Sequence, residues 1–77
     1  MKQVLTRGHL RRLAAEHGWR HYTALRGVEG FERGGISVRL HYSASGQLIH
    51  AARYTPTGVD RPHKGRQTYV RQWLTQR

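Results

Sequence analysis

The chain has 77 residues, 36% of them hydrophobic, and its 14 basic residues outnumber four acidic ones to give a formal net charge of +10 at pH 7. This length leaves room for one domain and excludes a second core, while the absence of cysteine excludes disulfides, thiolate zinc sites and thiol nucleophiles. We therefore predict a single domain over residues 1–77 that relies on packing or on self-association for its stability.

The excess of positive charge points to a partner with dense negative charge. Twelve of the basic residues are Arg, whose planar guanidinium offers several donors that match phosphate and carboxylate groups. A G+C-rich genome would account for the preference for Arg over Lys, but not for the shortage of acids. Two partner classes follow: DNA or RNA, and an acidic surface of another protein.

The sequence has no sign of a membrane segment. No apolar stretch approaches the ~20 residues that a transmembrane helix needs. The first residues also lack the apolar segment of a signal peptide. We expect no membrane partner and a cytoplasmic location.

The first predicted element is a helix over residues 7–17. Its apolar stripe recurs at i, i+3, i+4 and i+7, on Leu10, Leu13, Ala14 and His17. Thr6 is placed to cap the first turn, and Gly18 is placed to end the helix. Residues 19–25 then mix aromatic and β-branched side chains and predict a strand, whereas residues 26–35 contain four glycines and predict a connecting loop.

A β-hairpin over residues 36–55 is the clearest prediction. Apolar and polar residues alternate from Ile36 to Tyr42, as in a half-buried strand. A three-residue loop over residues 44–46 sets the register, and it is preferred because a four-residue loop would expose Leu48. It predicts a covered face made of four cross-strand pairs: Tyr42 with Leu48, Leu40 with His50, Val38 with Ala52, and Ile36 with Tyr54.

A second helix is predicted after a turn at residues 57–59. Asp60 would cap it and Pro62 would lie in its first turn, although Gly65 moves the start toward Arg66. Its apolar stripe comprises Tyr69, Val70, Trp73 and Leu74.

The order of elements predicts the fold class α+β. We expect a small two-layer domain in the order helix, strand, β-hairpin, helix, with an antiparallel sheet of two or three strands and both helices on one face. Trp73 lies at the centre of the second apolar stripe. It is predicted to pack near Val38 and Ala52, with Leu10 and Leu13 completing the core.

The uncovered sheet face is the candidate binding surface. In the predicted register it carries Arg39, His41, Ile49, Ala51 and Arg53, and Arg26 and Arg33 in the glycine-rich loop would extend it. A basic sheet face is an established way to present cations to phosphate groups. The alternative is that these arginines only keep an open sheet soluble. We predict that nucleic acid or another partner binds through Arg26, Arg33, Arg39, His41 and Arg53.

Catalytic and metal sites are not predicted. His17 and His21 are four residues apart, but a helix that ends at Gly18 breaks the spacing of a helical metal pair. With no cysteine and only four acids, we expect no metal and no cofactor. His41 or His63 could act as a general acid or base, which leaves an RNA-cleaving activity as an alternative.

Residues 30–38 and the hairpin turn at residues 42–46 resemble the small, Arg-rich, cysteine-free proteins of phages that infect high-G+C actinobacteria. This resemblance implies an accessory protein in the host bacterial cytoplasm that binds nucleic acid or inhibits a host protein. Residues 10–19, with their Gly-Trp ending, resemble the first helix of HicA-type mRNA-cleaving toxins. The Gly-Ser-His motif that supplies the catalytic His of those toxins is replaced by residues 26–29, so this resemblance implies topology only.

These observations predict a small basic accessory protein that binds DNA or RNA through an Arg-rich sheet face and is not an enzyme. The alternative is a phage-type inhibitor that binds an acidic surface of a host protein. A homodimer is a further expectation, because a small sheet leaves open edges and two paired hairpins would cover Ile49 and Ala51.

Overall fold

The computed structural model describes residues 7–62 and 66–76. These residues form, in chain order, α1 (Arg7–Glu16), β1 (Arg20–Leu25), β2 (Val28–Arg33), β3 (Ile36–Tyr42), β4 (Leu48–Thr55), β5 (Gly58–Asp60) and α2 (Arg66–Thr75). The strands make one antiparallel sheet in which each strand pairs with its sequence neighbour.

The protein is a small α+β domain, but the predicted architecture is wrong. A sheet of two or three strands with both helices on one face was expected, whereas the sheet has five strands in the order β1-β2-β3-β4-β5. The two additional strands, β2 and β5, lie in segments whose glycine and proline content predicted a loop and a turn.

Strand β2 occupies most of the segment predicted as a loop. Arg26 and Gly27 form the two-residue turn between β1 and β2, and Gly34 and Gly35 form the turn between β2 and β3. The φ angles of Gly34 and Gly35 are +56° and +82°, as a type I′ hairpin turn requires. These glycines therefore mark the two ends of a strand.

Gly30 lies inside β2 because a tyrosine ring packs directly over it. Tyr22 of β1 pairs with Gly30, and a β-carbon at position 30 would overlap the Tyr22 ring. The Tyr22 hydroxyl in turn shares a 2.5 Å hydrogen bond with the Ser37 hydroxyl on β3. A close side-chain approach, and not a turn, explains this glycine.

Replacing Gly30 with alanine is expected to lower the free energy of unfolding by about 1–3 kcal/mol, the usual cost of overpacking. The added methyl group would push the Tyr22 ring away and break its hydrogen bond to Ser37. Urea denaturation measures the change. The same substitution in a Tyr22→Ala background should cost much less, because no ring is then displaced. An equal cost in both backgrounds would contradict this explanation.

Strand β5 extends the sheet where a turn over residues 57–59 was predicted. Asp60 pairs with Arg53 of β4, and Arg53 Nε donates a 3.0 Å hydrogen bond to the Asp60 carboxylate. The predicted capping role of Asp60 is therefore wrong, since α2 begins only at Arg66. The predicted cap of the first helix, Thr6, lies outside the described residues.

A β-bulge changes the predicted register of the β3–β4 hairpin. Tyr42 pairs with Leu48 as expected, but the pairing then shifts, and the observed pairs are His41 with His50, Leu40 with Ala51, Arg39 with Ala52, Val38 with Arg53, and Ser37 with Tyr54. A shift of one residue moves side chains to the opposite face of a sheet. The predicted faces of residues 50–54 are therefore exchanged.

The core lies between the helices and one face of the sheet, which we call the core face and which includes Phe31, Val38, Leu40, Ala51 and Arg53. Its largest fully buried side chains are Phe31, Leu10, Leu40, Leu74, Val38 and Val70. Trp73 belongs to this core and is 5% exposed. Because Ala52 is on the opposite face, the Arg53 guanidinium contacts the indole instead, 5.6 Å from the ring centroid.

Helices α1 and α2 contact each other, and they also contact β1 and β4 respectively. A buried hydrogen bond of 2.8 Å from Trp19 Nε1 to the Leu74 carbonyl ties the start of the sheet to the end of α2. Neither helix within residues 7–62 and 66–76 has the length and apolar character needed to cross a bilayer.

Candidate nucleic-acid interface

The face of the sheet opposite the core, which we call the open face, gathers basic and aromatic side chains from three strands, β1, β3 and β4. Cross-strand neighbours form rows across it: Tyr22, Gly30, Arg39 and Ala52 in the centre, His41 and His50 toward one end, and Glu32, Ser37 and Tyr54 toward the other. Paired residues of antiparallel strands have adjacent side chains. The bulge thus brings His50 and Tyr54 beside Arg39.

Arg39 lies at the centre of the open face between two tyrosines. Its guanidinium is 5.3 Å from the centroid of the Tyr54 ring. Hydrogen bonding to the Tyr22 hydroxyl raises the pKa of Arg39 above its ordinary value. Arg39 is exposed, so a permanent cation with aromatic neighbours on both sides faces solvent.

His41 and His50 form an imidazole pair at one end of the open face. Their ring centroids are 6.0 Å apart and the rings meet edge to face. Burial lowers the pKa of His41 below its ordinary value, and the neighbouring His50 and Arg39 lower it further. These effects favour the neutral form of His41, whereas a bound anion would favour its protonation.

The lowered pKa of His41 predicts a loss of stability in mild acid. Above about pH 6.5 the residue is neutral in both folded and unfolded chains. Below that pH the unfolded chain takes up the proton more readily, so unfolding becomes more favourable as the pH falls toward the folded-state pKa. Thermal melts at about pH 7 and pH 5 should lose less stability in a His41→Gln variant than in the parent. An equal loss would contradict this contribution.

A pocket of about 300 Å³ opens beside the two imidazoles. Strand β5 ends at Asp60, and three residues that follow it, Arg61, Pro62 and Arg66, lie beside residues of β4. The pocket is lined by His41, His50, Ala51, Ala52, Tyr54, Arg61, Pro62 and Arg66. The pocket therefore adds Arg61 and Arg66 to the open face. Its remaining lining includes one tyrosine and several small apolar side chains.

Three of the four acidic residues pair with basic side chains, and one of them, Glu32, lies on the open face in the row of Ser37 and Tyr54. Glu29 and Asp60 pair with basic side chains of α1, β1 and β4, and Glu32 pairs with Arg20 of β1 at 2.9 Å. Glu16 is on α1. Within the described residues, no carboxylate pairs with the three arginines that border the open face and its pocket: Arg39, Arg61 and Arg66.

Arg39 and His41 are the two predicted site residues that the structure brings together on the open face. Arg26 occupies the exposed β1–β2 turn, at the end of the sheet nearest His41. Arg33 and Arg53 face the helices instead. Arg33 donates a 2.7 Å hydrogen bond to the His17 carbonyl and another to the Gln76 carbonyl, and its guanidinium is 4.7 Å from the Trp19 indole.

Arg53 is held by interactions within the protein. It bonds to Asp60, and its Nη1 donates a 3.1 Å hydrogen bond to Gln76 Oε1. The open face and its pocket also include five residues that were not predicted from the sequence: Tyr22, His50, Tyr54, Arg61 and Arg66. The positions of His50 and Tyr54 depend on the bulge, and those of Arg61 and Arg66 on where β5 ends. Hydropathy predicts neither feature.

A second polar cluster surrounds the buried carboxylate of Glu29. The carboxylate accepts a hydrogen bond from Arg11 Nε, lies 3.6 Å from Arg7 Nε, and is 3.1 Å from His21 Nε2. Burial, with the nearby Glu29, raises the pKa of the Tyr42 hydroxyl, and the Arg7 guanidinium is 4.7 Å from the Tyr42 ring. With the carboxylate only 7% exposed, this cluster fastens α1 to the sheet.

Among residues 7–62 and 66–76, no group of three or more His, Cys, Asp or Glu side chains could hold a metal ion. His63, which was considered as an acid or base, lies outside the described residues. No family model, curated protein or solved structure matches this chain significantly.

Proposed function

We propose that this protein binds nucleic acid through the open face of its sheet. The observation that carries the proposal is the grouping of Arg39, Arg61 and Arg66 with His41 and His50 on a surface where none of the three arginines has a carboxylate partner among the described residues. Arginines without a carboxylate partner in the protein remain available to phosphates. When they bind phosphates, the nucleic acid releases condensed counterions, and this release favours binding.

The aromatic residues of this surface support a nucleic acid over a simple anion. Tyr22 and Tyr54 flank Arg39, and rings beside guanidinium groups can contact bases or sugars while the cations meet phosphates. A sheet face can also enter a groove of duplex DNA. The net charge of +10 adds long-range attraction to either ligand.

Fluorescence anisotropy with labelled single strands and duplexes of DNA and RNA tests the proposal. Affinity should fall linearly on a log–log plot between about 50 and 200 mM salt. Arg39→Ala should weaken binding by about tenfold, as expected for the loss of one hydrogen bond to a charged group, and should reduce the salt slope by about one.

Arg12→Ala is the matched control, because it removes the same charge from an exposed position on α1. It should change affinity far less than Arg39→Ala. Equal effects of the two substitutions would mean that total charge, and not the open face, determines binding. Failure of every probe to bind at about 50 mM salt would contradict the proposal.

An acidic protein surface is the competing partner, since it would meet the same cations. A pull-down after nuclease treatment separates the two. Loss of the captured material with nuclease is the result expected here, whereas a protein that remains bound after treatment would favour the inhibitor of a host protein. RNA recovered intact from the binding samples is expected, and shortened RNA would favour the RNA-cleaving alternative.

A further inference from the structure

We infer that the pocket beside His41 and His50 holds one nucleotide of a single strand, with its phosphate between Arg61 and Arg66 and its base against Tyr54 and Pro62. This inference rests on the proposed function and assigns the type of strand that the open face would recognise. The first observation is the size of the pocket. Its volume of about 300 Å³ is at the lower end of the range for small-molecule sites, roughly 300–1,000 Å³.

The lining of the pocket matches both parts of a nucleotide. Arg61 and Arg66 supply two permanent cations that can donate to phosphate oxygens. On the sheet side, Tyr54 offers a ring against which a base can stack, and Ala52 leaves room for it because its side chain is small. A phosphate ion alone would leave the apolar walls without a partner.

The histidines give the pocket hydrogen-bonding ring nitrogens beside the cations. A neutral imidazole has one donor and one acceptor nitrogen, which suits the polar edge of a base or the hydroxyls of a sugar. Among the residues that the structure describes, the charged and titratable side chains that face the pair are Arg39 from β3, Tyr54 from β4, and the pocket-lining Arg61 and Arg66. Of the lining residues that the structure describes, none is a carboxylate that would repel a phosphate.

The position of the pocket favours a single strand over a duplex. It lies at the edge of β4, beside the central row that contains Arg39 and Ala52, so a strand that crosses the open face can place one nucleotide in it. A base that is paired in a duplex has its edge occupied and its faces stacked, and it enters a pocket only after it is extruded from the helix.

NMR titration of the His41 and His50 imidazole signals tests this site with three probes: nucleoside monophosphates, nucleosides and inorganic phosphate. The monophosphates should shift both signals at the lowest concentration. Removing the phosphate, or the base and sugar, should each weaken binding by about tenfold, as for the loss of one charged hydrogen bond or one stacked base. An unlabelled single strand should displace the monophosphate more effectively than a duplex of the same length.

Arg66→Ala should weaken monophosphate binding by about tenfold, whereas Arg71→Ala, which removes the same charge from an exposed position on α2, should not. Equal binding of monophosphate and inorganic phosphate would reduce the pocket to a simple anion site and overturn the inference. Strand binding that depends on Arg39, with no shift of either imidazole by a monophosphate, would also overturn it while leaving the proposed function intact. Absence of all nucleic-acid binding would instead remove the proposed function on which it rests.

Discussion

Trp73→Ala is expected to leave the protein largely unfolded at room temperature. The indole is 5% exposed and belongs to the cluster that joins both helices to the core face. Removing a buried aromatic side chain costs about 3–5 kcal/mol. A domain of this size seldom has more than about 3–5 kcal/mol of stability in total, so the loss removes most or all of it.

Circular dichroism during thermal and urea denaturation measures this effect. Tyr69→Ala is the matched control, because Tyr69 is an aromatic residue one turn away on the same helix and is 47% exposed. It should cost less than about 1 kcal/mol, as is usual for surface positions. Arg39→Ala should likewise leave the fold intact and change only binding. A Trp73→Ala protein that melts like the parent would contradict the docking of α2 described above.

Glu29→Gln is expected to lower the free energy of unfolding by about 1–3 kcal/mol. The substitution preserves shape but removes the charge that Arg7, Arg11 and His21 share, and hydrogen bonds to charged groups contribute about 1.5–3 kcal/mol each. The full penalty for breaking a buried ion pair, about 3–5 kcal/mol, does not apply. The side chains of Arg7 and Arg11 are 46% and 52% exposed and can regain water.

Glu32→Gln is the control for this prediction. Glu32 lies on the same strand and forms an ion pair with Arg20, but its side chain is 49% exposed. Its loss should cost less than about 1 kcal/mol, as exposed pairs do. Hydrogen exchange should also show faster opening of α1 in the Glu29 variant than in the Glu32 variant. Equal stabilities and equal exchange would mean that the Glu29 cluster does not fasten α1.

The elements predicted well from sequence are those with a strong hydropathic period. The stripe through Leu10 and Ala14 predicts α1, the alternation from Ile36 to Tyr42 predicts β3, and the stripe around Trp73 predicts α2. Each has one buried side, so burial and periodicity coincide. Strand β2 has no such pattern. Gly30 interrupts its hydropathic alternation, and the Tyr22 ring of the neighbouring strand packs over this glycine.

The hairpin register could not be predicted for a different reason. The loop was placed correctly enough to pair Tyr42 with Leu48, but the bulge that follows is a backbone feature, and the alternation of β4 is too weak to indicate it. The register determines which of the predicted site residues lie on the open face. Arg39 and His41 could be assigned because they lie on the regular strand β3, whereas Arg53 was assigned to the wrong face.

The remaining residues of the open face and its pocket lie in parts of the chain that no sequence pattern relates to the sheet. Arg61 follows the three-residue strand β5 and Arg66 begins α2, and both lie beside β4 at the pocket. Their position is a consequence of tertiary structure. Net charge favoured a partner with dense negative charge as a prediction. Which arginines remain available to such a partner depends on internal bonds, because carboxylates and backbone carbonyls already bind Arg33 and Arg53.

Backbone amide NMR with an unlabelled single-stranded oligonucleotide tests most directly whether the open face binds nucleic acid. The account predicts that the largest shift changes fall on residues of the open face and its pocket: Tyr22, Arg39, His41, His50, Ala52, Tyr54, Arg61 and Arg66. Exposed positions on α1 and α2, such as Arg12 and Arg71, should change little. Shift changes confined to the helices, with the signals of Arg39 and His41 unmoved at saturation, would contradict it.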